Sequence, residues 1–137
     1  MLPSNPRKIR IMLADDHPLV REQLAARLSR EFDFELVAVA ATSRATMQEI
    51  QLKNPHILLI DPIMRDGLGL ATLRQVCVSF PELVIVVLTA YVDTALKMHF
   101  HQMGIRHLLT KGVVSSQLLT ELRAAYASAH FPDNQET

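Results

Sequence analysis

His56-Ile57-Leu58-Leu59-Ile60-Asp61 is a short, mostly apolar run that ends in a carboxylate and is followed at once by Pro62. Continuous apolar character with no polar alternation, bounded by a turn residue, predicts a parallel strand buried on both faces. Asp61 then stands at the carboxyl end of that strand. In open α/β sheets, ligand and reaction sites form outside the carboxyl ends of strands. Asp61 is therefore the first residue to which chemistry is assigned.

A chain of 137 residues suits one domain with a core of its own. Apolar residues make up 49% and charged residues 20%, which predicts a globular protein rather than a disordered one. Lys plus Arg and Asp plus Glu balance at 14 each, so there is no basic footprint and direct nucleic-acid binding is not expected. The single cysteine, Cys77, has no internal disulfide partner, and beside Val76 and Val78 it is expected to be a buried, inert thiol. No apolar run reaches the length of a membrane span and no signal-peptide core opens the chain. A soluble, cytoplasmic protein is expected.

Outward from the central strand, Met1 to Arg7 is expected to be a loose leader. Lys8 to Ala14 predicts a first strand ending in Asp15-Asp16; His17-Pro18 then opens a helix to about Phe32, with Asp16 placed to cap it and Val20, Leu24 and Leu28 on one face. Phe34 to Ala41 predicts a second strand, and Ser43 caps a helix to about Leu52. Asn54-Pro55 breaks the chain before the central strand. Pro62 to Gly69 forms a loop, and Leu70, Leu73 and Cys77 are spaced for burial on a third helix. Leu83 to Leu88 is the clearest strand, stopping at Thr89-Ala90. A fourth helix runs from Asp93 or Thr94 to Met103 and ends at Gly104. Arg106 to Thr110 is a short fifth strand that delivers Lys111-Gly112. Ser115 or Ser116 caps a last helix with the stripe Leu118, Leu119, Leu122 and Tyr126, and the segment from Phe131 to Thr137 is expected to fray. Alternation of strands with helical crossovers implies a doubly wound α/β fold: a parallel sheet with helices on both faces.

The residues that close the strands form a set. Strand one supplies Asp15 and Asp16, strand three Asp61, strand four Thr89 and strand five Lys111. Parallel strands carry their carboxyl ends to one rim, where three carboxylates repel unless a cation sits among them. Oxygen ligands and a phosphoryl group suit Mg²⁺. Thr89 offers a hydroxyl and Lys111 a mobile positive charge for an anion. Together they describe a site that accepts a phosphoryl group on an aspartate.

In these motifs the chain resembles a response-regulator receiver domain of two-component signalling, over about residues 8 to 130. The matching residues are Asp15-Asp16-His17-Pro18, Asp61, Thr89-Ala90 and Lys111-Gly112, in that order. The opening His17-Pro18-Leu19-Val20-Arg21-Glu22 is similar to the LuxR/NarL class, whose members usually append a helix-turn-helix domain; no such segment lies in this sequence. The resemblance implies a flavodoxin-like five-stranded sheet of order 2-1-3-4-5 with five helices. It implies that Asp61 takes a phosphoryl group from a histidine kinase, with Asp15, Asp16, Asp61 and the backbone carbonyl of Ile63 around Mg²⁺. Thr89, Ala90 and Lys111 would bind the phosphoryl group and carry the switch. The chain would not be an enzyme in the ordinary sense, but an acceptor that assists its own phosphoryl transfer and dephosphorylation. The output face would be helix four, strand five and helix five, pairing with a second copy or a partner.

Several positions depart from the family pattern. Arg65 replaces a proline after Met64, Leu68 precedes Gly69 where an aspartate is usual, and Leu108 occupies the position of the aromatic switch. Pro62 removes a backbone N–H beside the acceptor. These departures motivate a second reading, a divergent receiver that acts as an interaction module independent of phosphorylation. Ile63 and Tyr91 are bulky and flank the path of an attacking water, so a slowly hydrolysed phosphoryl group is expected. An aspartate-nucleophile phosphatase is disfavoured, because Ile63 stands where its general acid would be. A flavin phosphate loop is disfavoured by Asp15-Asp16. His17, His99, His101 and His107 are taken as surface or capping histidines, and Arg65 and Arg106 as solvated.

Overall fold

The structure is a computed structural model and describes residues 8–131. The expected leader at residues 1–7 and the tail beyond Phe131 lie outside the described residues. Elements alternate without exception: β1 (Ile9–Ala14), α1 (Pro18–Ser29), β2 (Phe34–Ala40), α2 (Ser43–Lys53), β3 (Ile57–Ile60), α3 (Gly69–Ser79), β4 (Val84–Thr89), α4 (Thr94–Gln102), β5 (His107–Thr110) and α5 (Ser115–His130). The strands form one parallel sheet of order β2-β1-β3-β4-β5. β3, which carries Ile57-Leu58-Leu59-Ile60, lies at its centre.

Why β3 is apolar at every position follows from the sheet's two faces. Ile57 and Leu59 pack with Ile11, Leu13, Val86 and Leu88 under α1 and α5. Leu58 and Ile60 pack with Met12, Ala14, Ile85 and Val87 under α2, α3 and α4. Strand side chains alternate faces, so a strand coated on both sides has no position left for a polar residue. Each such side chain contributes about 1.5–3 kcal/mol by leaving water. The helices answer with Leu28 of α1, Ile50 of α2, Leu73 and Val76 of α3, Phe100 of α4, and Leu118, Leu119, Leu122 and Ala125 of α5, all buried.

Helix ends depart most from expectation. α1 stops at Ser29, leaving Phe32 exposed. Its N-cap is His17, without a side-chain cap, rather than Asp16, because Asp16 is held elsewhere at the rim. α2 is capped by Thr42, whose hydroxyl accepts from the Ala45 N–H at 3.0 Å, while Ser43 is buried. α5 begins after Val114 with no side-chain cap, so neither Ser115 nor Ser116 caps it. Asp93 does cap α4, accepting from the Leu96 N–H at 2.8 Å. On α3, Leu73 and Val76 are buried, whereas Leu70 and Cys77 are only partly so.

α5 is tied to the turn before β2 by Arg123. Its guanidinium donates to both carboxylate oxygens of Asp33, at 2.8 and 2.9 Å, and to Glu31 at 2.7 Å. It also lies 4.8 Å from the centroid of the Phe34 ring. The Arg123 hydrogen bonds hold Glu31 and Asp33 below the usual carboxylate range and push Arg123 further above its ordinary value.

At the amino end of the sheet, His56 Nδ1 accepts from the Arg10 N–H at 2.9 Å, and the His56 ring lies against Tyr126 and His130. Burial lowers the His56 pKa, with help from the charges of His130 and Arg10 and against the pull of Glu35. A histidine held neutral in the fold binds its proton more readily once unfolded. Its contribution is therefore complete above the ordinary value of about 6.5 and is lost as pH falls through the depressed folded value. The thermal unfolding midpoint is expected to fall as pH drops below about 6.5, and a His56→Gln chain to show a flatter profile there. Equal slopes for the two chains would contradict this.

Candidate functional site

The ladders bring four strand ends together. Ala14 pairs with Ile60, Ile60 with Val87 and Thr89 with Thr110. Backbone hydrogen bonds continue one residue past the strands: the Asp61 N–H donates to the Ala14 carbonyl at 2.9 Å and the Lys111 N–H to the Thr89 carbonyl at 2.8 Å. Asp15 is fixed likewise by its N–H to Ala40, at 3.0 Å. Asp15, Asp61 and Thr89 are buried polar residues in this otherwise apolar layer.

Lys111 is the cation between them. Its Nζ lies 2.7 Å from Asp61 Oδ2 and 2.8 Å from Asp15 Oδ2. Burial opposes its charge, but hydrogen bonds with Asp15 and Asp61 outweigh this and raise its pKa above the ordinary value. Lys111 thus stays charged throughout the neutral range. Asp61 Oδ1 accepts from the Ile63 N–H at 2.9 Å. The donor that Pro62 lacks is thereby supplied one residue later.

Asp16 faces the β3–α3 loop, where its Oδ2 accepts from the Arg65 N–H at 2.7 Å. Its Oδ1 is buried and accepts no hydrogen bond. An orphaned buried carboxylate oxygen beside two further carboxylates is what a hard cation site requires, and the oxygen donor set fits Mg²⁺. Asp15, His17 and Asp61 present ligand atoms all within 4.8 Å of one another, a group able to hold a metal ion. Ala90 is exposed at the rim, and Leu108 is half-buried against the α2–α3–α4 side of the core.

A profile for the response regulator receiver domain matches residues 11–123. The chain belongs to the response regulator receiver domain family. Oxygen regulatory protein NreC of Staphylococcus haemolyticus is 32% identical over 130 residues, covering 94% of this chain and 60% of the relative. NreC of Staphylococcus aureus gives the same figures. This chain therefore spans 60% of the length of these curated relatives. Among solved structures, a LuxR-family two-component response regulator from Aurantimonas sp. SI85-9A1 superposes with a TM-score of 0.81 at 25% identity, covering 88% of this chain and 86% of that one. The isolated receiver domain of RcsB from Salmonella enterica, solved with the phosphomimetic BeF3-, gives 0.77 at 24% identity over 85% and 87%. The latter likeness shows the shared fold. This receiver is of LuxR/NarL type, and no described helix is long and apolar enough to cross a membrane.

Three residues that sequence reasoning passed over enter the site or brace it. His17, taken as a surface residue, directs Nδ1 to Asp15 Oδ1 at 3.0 Å and lies 3.2 Å from Lys111 Nζ. Its place directly after Asp15-Asp16 was the available signal. Arg65, taken as solvated, has an exposed side chain, yet its Nε also approaches Asp16 to 3.8 Å. Asp66 accepts from the Leu68 and Ser43 N–H groups at 2.9 and 2.8 Å and from Ser43 Oγ at 3.0 Å, pinning the β3–α3 loop to α2. Those bonds, the Leu68 one first, hold its carboxyl below the ordinary value. His99 and His101 are exposed, and His107 pairs with Glu121 at 3.2 Å.

Proposed function

We propose that this receiver works in the cytoplasm, accepts a phosphoryl group on Asp61 from the phosphohistidine of a histidine kinase and thereby switches an output surface. The supporting observation is the bridge from Lys111 Nζ to Asp61 at 2.7 Å and Asp15 at 2.8 Å, set at the carboxyl rim beside buried Thr89. Asp61 is the nucleophile: a carboxylate oxygen attacks phosphorus, the bond to the histidine nitrogen breaks, and the departing imidazole recovers a proton from water. Asp15, Asp16, Asp61 and the Ile63 carbonyl would hold Mg²⁺, which supplies positive charge to the transferring phosphoryl group. Lys111 exchanges its carboxylate partners for a phosphoryl oxygen, and Thr89 donates its hydroxyl to another. Drawing these two inward reweights two pre-existing conformations of β4 and β5, and so of the face from α4 to α5. That face would pair with a second copy or a partner. The receiver would thus be a phosphoacceptor that assists its own transfer and dephosphorylation, rather than a turnover enzyme.

Half-buried Leu108 favours a second reading. At the switch position it offers no ring to rotate, so an interaction module that works without phosphate is the alternative.

Intact-mass analysis after incubation with Mg²⁺ and a small acyl phosphate tests the first reading. A single phosphoryl adduct is expected on the wild type and none on Asp61→Asn, with slow decay because Ile63 and Tyr91 crowd the path of attacking water. An adduct that persists in Asp61→Asn, or none on the wild type, overturns it. Partner binding unchanged by Asp61→Asn supports the second.

A further inference from the structure

His17 is a polar side chain at the rim to which the proposed phosphoryl transfer gives no task. Its backbone is fixed: the His17 N–H donates to Asp15 Oδ1 at 2.8 Å, and the His17 carbonyl accepts from the Arg21 N–H at 2.9 Å as the first turn of α1 begins. Pro18 occupies the adjoining first-turn position. The side chain is 48% exposed, yet it is aimed at the carboxylates. Nδ1 lies 3.0 Å from Asp15 Oδ1, 3.3 Å from Asp16 Oδ1 and 4.0 Å from Asp61 Oδ2.

These separations suit donors on one ion. Around an octahedral cation with bonds of about 2.1 Å, neighbouring ligands stand about 3 Å apart and opposite ones about 4.2 Å. A second observation points to a ligand independently of the cluster. Asp16 is nine-tenths buried, at 10% exposure, and its Oδ1 is without a hydrogen bond even though His17 Nδ1 is close. A buried acceptor that the surrounding protein leaves unpaired is completed by a cation.

Resting on the phosphoacceptor reading above, we propose that His17 adds an imidazole nitrogen to the carboxylates around the bound cation, so that this receiver takes Mn²⁺ and later first-row divalent ions over Mg²⁺. Carboxylates and water alone suit Mg²⁺. An imidazole donor adds little for that hard, tightly hydrated ion, but raises affinity for Mn²⁺ and more so along the series towards Cu²⁺. The ligating form is the imidazole without a proton on Nδ1, and Lys111 withdraws from the acids as the ion enters.

The experiment titrates Mn²⁺ and Mg²⁺ separately into the whole chain and into His17→Ala and His17→Asn, with folding checked by circular dichroism. Pulsed electron paramagnetic resonance of bound Mn²⁺ reads nitrogen coupling directly. Nitrogen coupling is expected in the wild type and in neither variant. Mn²⁺ affinity should fall at least about tenfold in His17→Ala, since even outer-sphere changes cost that much, while Mg²⁺ affinity changes less. The absence of nitrogen coupling in the wild type, its persistence in the variants, or an equal loss for both ions overturns the proposal. Adduct formation on Asp61, measured in parallel with Mg²⁺, separates the two ideas. An adduct without nitrogen coupling sinks only the role of His17, and coupling without an adduct sinks only the phosphoacceptor.

Discussion

Replacing Gly69 with alanine is expected to lower stability by about 3 kcal/mol or more, a fall of roughly 10 °C in unfolding midpoint for a domain of this size. Gly69 opens α3 and is buried. A Cβ there would lie 1.7 Å from the Pro62 carbonyl oxygen and 2.6 Å from its carbon. Both obstacles are backbone, so no side-chain rotation relieves them. In an ordinary helix the same change would stabilise by about 0.4–1 kcal/mol, by restricting the unfolded chain. The sign is therefore diagnostic. Gly112→Ala is the control, since a Cβ there meets nothing within 4 Å. Because Pro62 directly follows Asp61, relief of the clash must move the acceptor, and adduct yield should fall with stability. A Gly69→Ala chain as stable as the wild type would show that α3 does not close on Pro62 in solution.

This contact also shows where sequence reading stops. The glycine was visible in the sequence as a remnant of a family pattern, but its partner was not, because a backbone-to-backbone approach leaves no periodicity. The sheet was legible for the opposite reason. Burial on both faces forces β3, and β4 up to Leu88, to be apolar at every position, so pattern and topology are the same information. Asp15, Asp61, Thr89 and Lys111 were legible as strand-end residues, since parallel strands bring all such ends to one rim. His17, Arg65 and Asp66 were not, because loop conformation decides their aim. Helix starts failed similarly. Two adjacent hydroxyl residues can each cap, and only the path of the preceding loop selects Thr42 over Ser43 or leaves α5 uncapped after Val114.

Lys111→Met is expected to cost about 3 kcal/mol in the absence of divalent ions, near the lower end for removing one member of a buried charge pair. The ammonium is 14% exposed and lies between carboxylates that are almost wholly buried. Methionine fills similar volume, so the loss measures charge rather than packing. Asp15 and Asp61 would be left beside one another without the ammonium between them, the His17 ring lying near both. Urea unfolding with and without excess MgCl₂ reads both halves of the prediction. A cation that binds only the folded chain restores about 2.7 kcal/mol at a hundredfold excess over its dissociation constant. The restoration should be larger in Lys111→Met than in the wild type, where an incoming ion must first displace the ammonium from Asp15 and Asp61. Equal restoration in both chains would mean that Lys111 and the metal do not compete for the same oxygens. Stability unchanged by the substitution would mean that the 2.7 Å pair with Asp61 does not persist in solution. In either case the lysine could not act as the group that leaves the acids to follow a phosphoryl oxygen.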